Sequence, residues 1–212
     1  MTIRAKLIAA MALTVIGPVA TIAVAFAAFA TLDDRSDDVQ RAGVRQASAL
    51  ELKFAVTDMN GWQTAYGYDG GRSRQTFEDS VERTEALLAE ARKELRTPRE
   101  QALLDELEMA FDAFIAIDED AYAALQAGRE AEVRRLFLGP EIRNFEAMAR
   151  AADALAVEQD RRAAAAASEF DDARATARRE LVAVAIGAGV VVVLLLITAQ
   201  DVVRLALERR AA

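Results

Sequence analysis

The sequence predicts an all-α fold: a membrane-anchored antiparallel four-helix bundle flanked by two transmembrane helices. Three observations predict it. Two apolar runs, 7–32 and 181–199, hold no charged residue. As helices they reach about 39 Å and about 28 Å, against a hydrocarbon core of about 30 Å. The segment between them, 33–180, is rich in charge and poor in turn formers, the whole chain having Gly 10 and Pro 3. Its apolar residues recur at steps of three and four, and no stretch alternates with the period of two that a strand requires.

The flanking charges set the expected topology. Arg4 and Lys6 precede the first run, and Arg204, Arg209 and Arg210 follow the second. Short basic flanks stay on the cytoplasmic side, while a long loop crosses regardless of its own charge. Residues 1–6 and 200–212 are therefore expected to be cytoplasmic, with 33–180 outside. Arg178 and Arg179, at the outer edge of the second span, run against this trend. The first run could be a cleaved signal peptide, since Ala28-Phe29-Ala30 fits a cleavage site. Its apolar region is longer than the roughly 7–15 residues usual there, which favours an uncleaved anchor. Pro18 is tolerable inside such a span, and Ala183/Gly187 and Ala185/Gly189 give the small-residue spacing that lets helices approach closely.

The first helix is expected to continue beyond the span from about Asp33 to Tyr66, with Val39, Ala47, Leu50 and Phe54 marking an apolar side. Gly67-Tyr68-Asp69-Gly70-Gly71 should end it, because glycine takes turn conformations that other residues resist. The second helix, about Arg74 to Arg96, has a seam of Phe77, Val81, Thr84, Leu88, Ala91 and Leu95. Thr97-Pro98-Arg99-Glu100 is a start signal: Thr97 can cap, Pro98 suits the first turn, and Glu100 can complete a capping box. The third helix then presents Leu103, Leu107, Ala110, Phe114, Ile117, Ala121 and Ala124 or Leu125 until Gly128 stops it. A fourth starts near Arg129, is expected to break at Gly139-Pro140, and resumes through Ile142, Phe145, Met148, Ala152 and Leu155 into the second span.

Composition excludes several chemistries. Cys and His are both absent, which removes disulfides, thiolate or imidazole metal sites, imidazole acid–base catalysis and a phospho-accepting histidine. With no glycine-rich phosphate loop either, neither an enzymatic activity nor a cofactor is expected. Segment 33–180 has 21 basic and 32 acidic residues, a net charge of −11, so nucleic acid is an unsuitable partner. The acidic clusters Asp33-Asp34 with Asp37-Asp38, and Asp118-Glu119-Asp120, read as solvated helix surface, because neighbours one residue apart do not face one site.

One stretch breaks the local rules. Asp58-Met59-Asn60-Gly61-Trp62-Gln63, followed by Tyr66, puts two poor helix formers in mid-helix beside the only Trp. A ligand pocket would use Asp58, Asn60 and Gln63 for polar contacts and Trp62 and Tyr66 as apolar walls. In a packing reading, Gly61 allows close helix approach and Trp62 caps the core.

This layout resembles the sensory half of a bacterial methyl-accepting chemotaxis protein. The likeness rests on the two-span topology, on Lys53-Phe54 through Tyr66, and on Leu138-Gly139-Pro140-Glu141-Ile142 with Asn144-Phe145. It covers about residues 1 to 200. The resemblance implies a homodimeric receptor in the cell membrane, in contact with the lipid bilayer, in which a small-molecule ligand bound outside shifts the second span. Such receptors continue into a cytoplasmic relay and a methylated, kinase-controlling hairpin. Here 200–212 resembles only the first turns of the relay, so the signalling domain is expected to be lacking. Sensor kinases share this type of bundle, which leaves the input module of a sensor histidine kinase as an alternative. A stand-alone anchored bundle acting as scaffold or modulator is another.

Overall fold

Apolar residues at helical spacing and scarce turn formers produce a chain with no strand among the described residues. The computed structural model describes the backbone of residues 3–211 and the side chains of 11–12, 14–200 and 203–204. The elements are α1 (Ile3–Tyr68), α2 (Arg74–Glu94), α3 (Pro98–Gln126), α4 (Glu130–Leu136), a π-helical segment (Phe137–Glu141) and α5 (Ile142–Ala211). They fall into two units, 39–166 and a second made of the terminal stretches 1–38 and 167–212.

In the terminal unit, α1 and α5 are long and apolar enough to cross a membrane. Side chains such as Val15, Ile22, Phe26, Val190 and Leu196 are exposed, a surface suited to lipid rather than water. Pro18 lies inside α1 without ending it. Hydroxyls fold back on the helix, Thr21 Oγ1 donating to the Gly17 carbonyl at 2.9 Å and Thr198 Oγ1 to that of Leu194 at 2.7 Å. Polar tips are thereby satisfied within their own helix, as an apolar medium demands. Beyond the apolar run, Arg35 pairs with Glu169 and lies 3.7 Å from Asp38.

The unit 39–166 holds one hydrophobic core. Leu52, Val56, Met59 and Tyr66 of α1 meet Phe77 and Leu88 of α2, Leu104, Leu107 and Phe114 of α3, and Met148 and Leu155 of α5. The seams expected on the second and third helices are buried except at Val81 and Ile117, which are half-buried. The side expected on the first is not: Ala47, Leu50 and Phe54 are exposed, Phe54 at 71%. Both sides of α1 carry apolar residues, and the longer series, Ala49 to Tyr66, occupies the core.

Polar links between helices follow the same order. Glu51 pairs with Arg83 at 2.9 Å, Arg92 with Asp105 at 2.6 Å and Glu108 at 2.5 Å, Lys53 with Asp153 at 2.6 Å, and Gln46 donates to Asp160 at 2.8 Å. They are exposed, apart from the half-buried Arg92–Glu108 pair, and each exposed one contributes at most about 1 kcal/mol, but together they record which helices adjoin and in what register.

The connections are built as their residues dictate. Gly70 and Gly71 take φ of 72° and 92° after α1, and Gly128 takes 68° after α3, all in the left-handed region open to glycine. The Thr97/Glu100 capping box forms in both directions, with Pro98 in the first turn. At Gly139-Pro140 the expected break does not occur. The π turn there widens the backbone enough to carry a proline that donates no hydrogen bond, and the chain passes directly into α5.

Candidate functional site

Four stretches far apart in sequence place polar side chains inside one end of unit 39–166. Gln63 and Tyr66 come from α1, Arg74 from α2, Asp118 from α3 and Glu141 from the π segment. All but Arg74 are almost fully buried, Glu141 at 2% exposure and Asp118 at 0%.

The centre of this cluster is Asp118. Tyr66 Oη donates to Asp118 Oδ1, and Arg74 Nη1 donates to Oδ2 at 2.5 Å. Arg74 also reaches Glu78 at 2.9 Å. Its guanidinium lies 4.4 Å from the Tyr122 ring centre, 4.9 Å from Phe77 and 5.1 Å from Tyr66, so three aromatic faces stabilise the cation. Burial works against the Arg74 charge, but the hydrogen bond and charge of Asp118 outweigh it and hold its pKa above the ordinary value. Burial likewise lifts the Asp118 carboxyl above its usual range, with the Tyr66 and Arg74 hydrogen bonds pulling the other way. Tyr66 is raised by burial and then by the Asp118 charge; it is a donor at every physiological pH.

Glu141 differs. Neither carboxyl oxygen has a hydrogen-bond partner, nor does Gln63 Nε2. Burial, reinforced by the negative charge of Asp118, pushes the Glu141 carboxyl from 4.5 up to about 8. The other buried glutamate, Glu100, shows what satisfaction looks like. It accepts from the backbone amides of Arg96 at 3.0 Å and Thr97 at 2.9 Å and from Gln159 Nε2 at 2.8 Å, with Arg162 3.3 Å away. Burial raises its pKa, but those hydrogen bonds outweigh burial and leave it below the ordinary value. Two glutamates closed to solvent are thus shifted in opposite directions, Glu141 upward by burial without donors and Glu100 downward by its donors.

The five residues singled out in the sequence divide between two sides of α1. Gln63 and Tyr66 point inward. Asp58 and Trp62 line an outward groove of about 620 Å³ with Phe54, Thr57, Gly61 and Arg83. Asn60 is half-buried and lines neither. Gly61 makes no close helix approach, since a Cβ added there meets nothing within 4 Å, and Trp62 is 37% exposed rather than capping the core. The glycine that does permit close approach is Gly67, where a Cβ would come 2.2 Å from Phe137 Cε2.

The sequence alone does not mark Arg74 and Asp118 as members of this cluster, for a physical reason. Asp118 lies four residues after Phe114 and three before Ala121, on the buried seam, and its acidic neighbours disguise it as surface. Arg74 stands three residues before Phe77, at the head of another seam. Comparison with family models, curated proteins and solved structures finds no match to this chain.

Proposed function

We propose that this chain is the sensory and membrane-spanning module of a bacterial chemoreceptor, detecting an extracellular signal and passing it across the membrane. The observation that carries this reading is continuity: α1 and α5 are each one unbroken helix with an apolar run at one end and core-forming residues at the other. A displacement of either helix end is carried along the helix rather than absorbed in a loop. The interhelix pairs support an antiparallel four-helix bundle for 39–166, since Gln46 meets Asp160 while Lys53 meets Asp153. Basic residues before the first apolar run and after the second favour cytoplasmic termini.

The exposed stripe Val44, Ala47, Leu50 and Phe54 is the surface on which a second copy would pack, giving a parallel pair of α1 helices. The adjoining groove, with Trp62 and Phe54 as walls and Asp58 and Arg83 as charges, is where a small polar molecule would bind. Ligand binding shifts such a receptor only if the two conformations differ in affinity.

The test is to fuse residues 1–212 to the cytoplasmic half of a characterised chemoreceptor in cells without receptors. Swimming bias is then recorded against amino acids, organic acids and sugars. The expected result is a response to one class that Trp62→Ala weakens at least tenfold in effective concentration. A fusion that inserts in the membrane yet controls no output with any stimulus overturns the receptor reading.

A further inference from the structure

We propose that the Glu141 carboxyl is a proton-binding switch that makes the helical unit 39–166 respond to pH. The geometry around it offers nothing to hold an ionised carboxylate in place. Its two oxygens are buried and accept no hydrogen bond. The titratable and charged groups that act on it are Tyr66 from α1, Arg74 from α2 and Asp118 from α3. Arg74, the one cation among them, is already committed to Asp118 and Glu78. Asp118 repels a second negative charge. A buried charge without its own partner is strongly disfavoured, so the group stays protonated while it stays inside.

The position of Glu141 gives its proton a mechanical consequence. It is the last residue of the π turn Phe137–Glu141, a rare i→i+5 geometry that interrupts the α-helical hydrogen-bond ladder. That turn seats Phe137 against Gly67 and 6.1 Å from the Tyr66 ring centre. On losing its proton, Glu141 must draw in water or leave the core, and either movement pulls on the turn and on the Phe137–Tyr66 contact. Neutral Glu141 closes this end of the unit, and ionised Glu141 opens it. The inference stands apart from the receptor reading, because its readout is the chain's own stability and not any cellular output.

The direction follows from the carboxyl being harder to ionise in the folded chain than in the unfolded one. The Glu141 contribution to folding is full below about 4.5 and is lost as pH rises through about 8. Within that window the unfolding equilibrium grows by up to about tenfold per pH unit. The experiment uses the full chain in lipid nanodiscs, with thermal midpoints measured from pH 5 to pH 9.5 and infrared difference spectra of the protonated-carboxyl band over the same range. The wild type should lose thermal stability progressively between about pH 5 and pH 8 and level off above the pH at which the band titrates, near 8. Glu141→Gln should remove both, giving a flat profile and a higher midpoint than wild type at pH 9. Glu141→Met, of similar volume and uncharged, repeats the comparison where the glutamine lacks partners. A wild type with no carboxyl titrating above pH 6, or folded variants that keep the wild-type slope or the high-pH carboxyl band, overturns the proposal.

Discussion

Two glycines on α1 have opposite reasons for being there, and substitution separates them. At Gly67 an added methyl collides with the Phe137 ring. Gly67→Ala should therefore lower stability by about 1–3 kcal/mol, read as a drop in thermal midpoint. At Gly61 the methyl meets open space, so Gly61→Ala should raise the stability of the isolated chain by about 1 kcal/mol through helix propensity alone. An equal loss at both positions would mean that Gly61 packs against something in solution. Asp118 supplies a third case. Tyr66→Phe removes one of its two donors and leaves a buried carboxylate oxygen short of a partner, at a cost of about 1–3 kcal/mol in chemical denaturation. None of these contrasts is readable from residue type. Gly61 and Gly67 are both flagged by the sequence, and only the position of Phe137, seventy residues away, distinguishes them. Asp118 is legible only when its place on the seam outweighs its acidic neighbours.

At the scale of elements, sequence and structure agree where local chemistry decides. The capping box at Thr97, the glycine stops and the seams of α2 and α3 depend on residues within one or two turns, so a single strand of sequence carries them. Thr97 also accepts from Arg162 Nη2 at 3.2 Å, which ties the start of α3 to α5. Thr97→Ala should cost about 1–2 kcal/mol, and Thr97→Ser should restore most of it; a loss that serine does not rescue would assign the effect to packing of the methyl group. The same element sets the acid limb of the pH profile. Glu100 is easier to ionise when folded, so its contribution is present above about 4.5 and declines as pH falls below that value. Where the decision is not local, the sequence is ambiguous. Proline reads as a break because an α-helix cannot carry it cheaply, and only the π turn, which the flanking packing stabilises, lets the helix continue. Likewise α1 has two apolar sides, and which one is buried depends on the partners that α2, α3 and α5 bring.

For the molecule as a whole, the surplus apolar side of α1 is the feature that packing within one chain does not use. Val44, Leu50 and Phe54 are more than two-fifths exposed, along a stretch where Lys53 and Glu51 are already paired to neighbouring helices. Those ion pairs hold the flanking charges to the sides and leave the stripe clear. A continuous stripe on one helix is matched best by the same stripe on another copy, since the spacing of the two is then identical and a knobs-into-holes seam can form. Burying Phe54 alone contributes about 1.5–3 kcal/mol per chain. Phe54→Glu should therefore abolish association of the full chain in nanodiscs or mild detergent, read by light scattering or by crosslinking through Leu50→Cys in this cysteine-free background. Because Phe54 contributes no core contact, helix content and thermal midpoint should stay within the range of the monomer. Unchanged crosslinking in Phe54→Glu would show that the stripe is not the contact of the proposed dimer. A collapse of helix content would instead show that Phe54 belongs to the fold of the single chain, and the stripe would then lose its standing as an interface.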